Sequence, residues 1–288
     1  MMRANTRADM DLREPTDNNG LEGDPVETEP CRRTTHLSRM SFSQFHPLER
    51  HPRTGEPHIR LTAPFDRIVI TPPRQDDVPH IVAILNDYAV KKWLDGPPFP
   101  YLDMHAEEWI AKTKEQSDAV MHELRVANEE YSTGPSVAVS GCPVGCLRGV
   151  EEDGSEVFLG AIEFSRCNFP DLLNQQEQER MVARNDSRKR GDPDIVWCIG
   201  YYVAAPLHGR GLMSRAVRTL LEAWVVPRMG ARQIRVETVI GNHGSIRVLE
   251  KLGFRIVDTV RRRKVTSAGE LIDGFHVLYW HLSEGRQP

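Results

Sequence analysis

The sequence of 288 residues predicts an α/β fold in which strands and helices intermix along one large domain. Two patterns carry that prediction. Residues 195–203 form a nearly continuous apolar run, as a strand buried on both faces requires. Val217, Leu220, Leu221 and Trp224 recur at i, i+3, i+4 and i+7, the apolar stripe of a helix. A composition shift sets the limits of the domain. Residues 1–57 are mostly Arg, Asp, Glu, Pro, Thr and Asn, with apolar residues too sparse to build a core, so a disordered tail is expected there and one domain over 58–288.

The elements follow in order. The β-branched run 67–71 reads as a strand stopped by Pro72 and Pro73. Asp76 or Asp77 then caps a first helix, with Pro79 in its first turn and Val78, Ile81, Val82 and Leu85 on one face. A second helix starts near Asp103, after the loop 96–100, and ends before Ser132. Residues 146–150 and 157–164 flank Asp153-Gly154 and read as a hairpin. A polar insert at 168–193 is expected to be a helix and loop with its charges solvated. The buried strand 195–203 turns at 204–211 into the helix that contains Val217, which Pro227 and Gly230 end. A strand at 233–238, a helix capped near Asn242 and closed by Gly253, and two strands around the turn 267–270 complete the order β-α-α-β-β-β-α-β-α-β-β.

A formal net charge of −4 supplies no basic field of the kind that nucleic-acid binding uses, and no apolar run reaches the length of a membrane span. The five scattered cysteines make an odd number and no disulfide framework, so a reducing, cytoplasmic setting is expected. Cys142 and Cys146 lack two further close ligands, so no metal site is expected.

The chemistry is expected where the buried strand opens into a helix through a glycine-bearing turn. That arrangement gathers unpaired N–H groups and the positive end of the helix dipole, which favours phosphate. Gly209 and Gly211 allow an anion close to the amides, and Arg210 and Arg215 can add charge-assisted bonds. A tight helix entry with no ligand would use the same residues. No Lys follows Gly211 as a P-loop needs, and Ser214 stands where a dinucleotide fingerprint has glycine.

Four motifs stand in linked order: Gly200-Tyr201-Tyr202-Val203, His208-Gly209-Arg210-Gly211-Leu212-Met213, Asn242-His243-Gly244-Ser245 and Glu250-Lys251-Leu252-Gly253-Phe254. In that order and spacing the chain, over roughly 67–282, resembles the GNAT superfamily of acyl-CoA N-acyltransferases. It is most similar to the subgroup that acetylates the N-termini of ribosomal proteins. His208 and Met213 depart from the general pattern of the family, whereas Gly211 matches it.

The resemblance implies a mixed, mostly antiparallel central sheet flanked by helices, with acetyl-CoA in the notch between strands 195–203 and 233–238. It implies cofactor contacts from Tyr202, Val203, His208, Gly209, Arg210, Gly211, Leu212, Met213, Ser214, Asn242 and Ser245. The implied reaction is direct attack of an amine on the thioester, helped by an oxyanion-binding N–H near Val203, a base for the amine proton and an acid for the thiolate. Glu163 is the first candidate base, with the alternative of a solvated strand carboxylate, and Glu237 is the second. Ser245 is the candidate acid, or only a first-turn residue of its helix, and Asn242 a cofactor contact, an N-cap or both. Arg261-Arg262-Arg263-Lys264 meets an acidic partner or lies idle in solvent. Trp93, Phe99 and Tyr101 wall an acceptor pocket or belong to the core. The acceptor is an amine of a protein N-terminus, a lysine or a small molecule. A non-catalytic module that binds CoA or a protein partner would show the same motifs.

Overall fold

The computed structural model describes residues 43–131 and 134–282 of the chain. Most of the expected tail, residues 1–42, lies outside the described residues, but residues 43–57 are built into the domain. Strand β1 (Glu49–Arg50) pairs antiparallel with β2 (Pro57–Arg60), and β2 pairs with β3 (Ile68–Thr71). Ahead of them, Gln44 is buried, donates from its amide to Tyr131 O (3.3 Å) and Pro135 O (3.2 Å), and accepts from Val137 N (3.0 Å). Arg228 donates to the carbonyls of Gln44 (2.5 Å) and His46 (2.6 Å). Hydrogen bonds to residues some 90 to 180 positions away hold this segment, so hydrophobic periodicity gives no sign of it.

After β3 come α1 (Val78–Asn86), the short α2 (Tyr88–Lys91) and the long α3 (Asp103–Glu130). Asp77 occupies the N-cap of α1, yet its carboxylate does not cap the helix. It binds the buried guanidinium of Arg148 through Nη1 (2.6 Å) and Nη2 (2.7 Å) instead, because an unpaired buried cation costs more than an uncapped amide.

Strands β4 (Cys146–Val150) and β5 (Glu156–Arg166) form the expected hairpin, and α4 (Gln175–Asp186) lies within the insert. The insert's charges are not all solvated: Arg188 pairs with Asp192 and Asp194, and Arg190 with Glu123.

Then follow β6 (Val196–Val203), α5 (Leu212–Leu220), α6 (Val226–Met229), β7 (Gln233–Val239), α7 (His243–Lys251) and β8 (Arg255–Val260). Pro227 does not end the helix after β6. One wide π turn at Leu221–Val225 joins α5 to α6, shifting the hydrogen-bond register where Pro227 lacks its N–H, and the helix stops at Gly230 with φ +69°. A small hairpin of β9 (Lys264–Val265) and β10 (Leu271–Ile272) precedes the last strand, β11 (Phe275–His281).

Among the described residues the main sheet runs β1-β2-β3-β4-β5-β6-β7-β11-β8. It is antiparallel except at β6 and β7, so it is the mixed, mostly antiparallel sheet that was expected. Those two strands pair in parallel from Val196 and Gln233 to Cys198 and Arg235, where the ladder ends, although β6 runs on to Val203 and β7 to Val239. A notch opens there. Side chains of α5 and α7 pack on one core with Ile199, Val203, Ile234 and Val236, and those of α1 pack on a second with Cys146, Phe158 and Ala161. The notch is therefore walled by helices on both sides of the sheet.

Candidate active site

A cleft of about 890 Å³ occupies the notch, within the range that holds small molecules. Its floor is the end of β6, from Ile199 to Val203, facing Val236–Val239 of β7 across the gap. One rim is the turn into α5. Gly209 and Gly211 take φ of +73° and +83°, left-handed values that a side chain resists, and a Cβ on either would project into open space. Gly211 is the N-cap of α5 and carries no capping side chain, so the amides of Leu212, Met213 and Ser214 head the helix without a side-chain partner. This is a fit for a diphosphate: free N–H donors, the positive end of a helix dipole and room for oxygens to approach.

Several expected contacts border this cleft: His208, Gly209, Gly211 and the first turn of α5 on one side, Asn242 and Ser245 on the other. His208 also turns back, its Nε2 donating to the Val203 carbonyl at 2.9 Å, so the ring braces the turn against the end of β6. Arg210 is exposed and does not border the cleft; on the side of α7 the cations that do are Arg247 and Lys251. Their i, i+4 spacing on one helical face was the available signal.

Tyr201 and Tyr202 alternate across β6. Tyr202 packs its ring against Phe158, 6.5 Å between centroids, and its buried hydroxyl has no hydrogen-bond partner among the described residues. Tyr201 is the one that reaches Ser245: the two hydroxyl oxygens are 2.8 Å apart. Thr238 Oγ1 stands 3.3 Å from the same Ser245 oxygen, and the Ser245 N–H donates to Asn242 Oδ1 at 3.1 Å, so Asn242 caps α7 while it borders the cleft. Burial pushes the Tyr201 phenol up to about 12, which keeps it a proton donor at neutral pH.

The two candidate bases part company. Glu163 sits half-buried on β5 opposite Gly200, and because β6 lies between β5 and the notch it does not border the cleft. Glu237 borders it directly, two residues beyond the last rung of the β6–β7 ladder. Burial, then the neighbouring Asp171 carboxylate, pushes the Glu237 carboxyl up to about 7, and its Oε1 has no hydrogen-bond partner. Arg235 stands 3.7 Å away but gives its two-pronged grip to Asp171, through Nε at 3.0 Å and through Nη2. Sequence reasoning missed Asp171, which comes from the insert.

The far wall carries Trp93, Asp95, Lys264 and Phe275. Lys264 is paired with Asp95, and the Ser267 hydroxyl donates to the Pro97 carbonyl, so the β9–β10 hairpin is fastened to the loop after α2. Of the basic run, Lys264 is thus engaged, Arg263 pairs with Asp273 at 3.2 Å, and Arg261 and Arg262 are exposed. Trp93 borders the cleft, Tyr101 belongs to the core, and Phe99 is exposed with Lys91 over its ring. Among the described residues no group of His, Cys, Asp and Glu is placed to hold a metal ion, and no helix is long and apolar enough to cross a membrane.

The family model described as the acetyltransferase (GNAT) domain matches residues 67–255, and the chain belongs to that family. It is accordingly an acyl-CoA-dependent N-acetyltransferase, with acetyl-CoA as the acyl donor. No curated protein sequence matches it significantly. Solved structures with a similar chain trace include a ribosomal-protein-S5-alanine acetyltransferase from Vibrio fischeri (14% identity, 77% of this chain and 97% of that one, TM-score 0.48). RimJ of Mycobacterium smegmatis, in complex with CoA-disulfide, is 16% identical over 80% of this chain and 88% of its own, with a TM-score of 0.47.

Proposed function

We propose that the chain transfers the acetyl group of acetyl-CoA directly to a primary amine, with Glu237 as the base and the Tyr201–Ser245 hydroxyl pair as the acid. One observation carries the reading: a carboxyl pushed up to about 7 borders the same cleft as the uncapped head of α5. Bound acetyl-CoA supplies an activated thioester. The amides of Gly209 to Ser214 hold its diphosphate, with Arg247 and Lys251 adding charge. The Val203 N–H is the oxyanion donor of this reading, since the adjacent Ala204 N–H is committed to Leu159 O at 2.8 Å. Glu237 takes the proton that an ammonium must lose before its nitrogen can attack. Ser245, relayed by Tyr201, protonates the departing sulfur. The acceptor enters along the wall formed by Trp93, Asp95 and Phe275 and is an amine of a protein N-terminus or of a small molecule. Four cysteines among the described residues are free thiols, which suits a reducing compartment such as the cytoplasm.

The test is incubation of purified protein and acetyl-CoA with N-terminal peptides and small amines, reading acetylated product by mass spectrometry and thiol release by colour. Turnover is expected in the parent protein and loss of most of it in Gly211→Glu, whose carboxylate repels the diphosphate. Equal product from both proteins would remove the site. The second reading, a module that binds CoA without turning over, predicts calorimetric binding that Gly211→Glu abolishes and no product with any amine.

A further inference from the structure

The insert delivers a residue to the acceptor side of the cleft that the motifs do not mark. After β5 the chain passes through Phe169, whose φ of +49° is left-handed, a conformation uncommon for a residue with a side chain. Its ring is buried, its N–H donates to Cys167 Sγ at 3.3 Å, and its carbonyl accepts from Leu172 N at 3.2 Å. Surrounding contacts thus over-determine a tight turn, and strained backbone of this kind concentrates where a functional group must be aimed. The turn aims Pro170 and Asp171 into the cleft wall beside Glu237.

We propose that Asp171 is a positioning residue for the transfer: aimed by the Phe169 turn and gripped by Arg235, it presses a second carboxylate against Glu237 and governs the pH at which that base becomes free. The proposal rests on Glu237 being the base. Asp171 has its side chain only 5% exposed and takes the two-pronged grip of Arg235, whereas Glu237 meets the same guanidinium at 3.7 Å without a hydrogen bond. One cation therefore faces two carboxylates, and it gives its hydrogen bonds to Asp171. Glu237 holds its proton to a higher pH than an ordinary carboxyl, since ionising it would place a second negative charge in a buried space beside one shared cation.

Two further titratable groups near Glu237, Cys198 and Tyr279, are held in their protonated forms. On β6 the Cys198 thiol is pushed up by the Cys167 thiol and by burial, and on β11 the Tyr279 phenol, pushed up by burial, donates to Gln233 Oε1 at 2.7 Å. Asp95 and Lys264, on the opposite wall, neutralise each other. Removing the charge of Asp171 therefore leaves Arg235 free to turn to Glu237, and both changes make the Glu237 carboxylate easier to form.

The experiment is a titration of the Glu237 side-chain carboxyl by carbon-13 NMR in full-length parent protein and Asp171→Asn, together with the pH profile of kcat/KM for each. In Asp171→Asn the NMR midpoint is expected to fall by on the order of one pH unit, with the acid limb of kcat/KM moving by the same amount and the KM for acetyl-CoA unchanged. Asp171→Glu, which restores the charge, is expected to bring the limb back toward the parent. A midpoint and acid limb that stay in place in Asp171→Asn overturn the proposal, as does a loss of rate with an unmoved profile, which marks a purely structural role. Should Asp171→Asn fail to fold by circular dichroism, Asp171→Ser is measured in the same way against the same outcomes. The NMR midpoint reads the action of Asp171 whether or not Glu237 is the base. Full turnover in Glu237→Gln would remove the base and leave that measurement standing.

Discussion

Glu237 shows how a common side chain acquires an uncommon property from its surroundings. Lost water and a nearby carboxylate raise its carboxyl to about 7, the range the proposed base needs to take a proton from an ammonium near neutral pH. Glu237→Gln is expected to lower kcat by about 10²- to 10⁴-fold and to erase the acid limb near pH 7, with the KM for acetyl-CoA held, as steady-state kinetics from pH 5 to 9 would show. The same shift bears on stability. A carboxyl whose folded pKa lies above its ordinary value of 4.5 binds its proton more tightly in the native state, so native stability falls as pH rises from 4.5 to about 7. Glu237→Gln should accordingly be more stable than the parent in urea at pH 8, with that advantage gone at pH 4. That Gly211 and Ser245 would border the cleft was legible from the motifs, because their placement depends on near neighbours in the chain. The preference for Glu237 over Glu163 was not. It depends on which strand borders the gap, and β5 is separated from the gap by β6, against which it is laddered from Gly160 to Arg166.

At the scale of elements, the head of α5 and the docking of α1 are built on opposite principles. The α5 head leaves its donors without side-chain partners, while the start of α1 is committed to the fold. Asp77 meets Arg148 of β4 with both groups about 2% exposed or less, and Arg148 Nε also donates to Thr71 Oγ1 of β3 at 2.7 Å. Asp77→Ala leaves that guanidinium buried without its carboxylate. It should cost about 3–5 kcal/mol in urea unfolding, whereas Asp77→Leu combined with Arg148→Met should recover most of the loss. Asp77 read as a helix cap because Asp before an apolar periodic run usually is one. Arg148, which redirects it, lies 71 residues further along. The π turn at Leu221–Val225 belongs to the same class: Pro227 signals a stop locally, and the buried faces of Leu221, Trp224 and Val225 carry the helix past it.

For the whole molecule, the cleft is bordered by residues of α2, β6, α5, β7 and α7 together. A ligand that binds there in the native state alone must stabilise the entire fold. At 100 times its Kd, acetyl-CoA or CoA should add about 2.7 kcal/mol and raise the midpoint of thermal unfolding by roughly 5–10 °C, which scanning fluorimetry would read. NAD at equal concentration should leave the midpoint in place, and Gly211→Glu should lose the CoA response. A midpoint indifferent to CoA would remove the cradle on which the cofactor assignment stands.

The residues by themselves determined the order of the main strands and helices from β3 onward, the turn that heads α5 and the family, because hydrophobic period, glycine placement and capping are set within a few positions of chain. Only the tertiary structure decided that residues 43–57 are held to the domain, that Tyr201 rather than Tyr202 meets Ser245, and that Glu237 shares its surroundings with Asp171. Each of those depends on dielectric and on partners far apart in sequence. A carboxyl's affinity for its proton, or the face a strand residue shows, does not exist until distant segments close around it and exclude water.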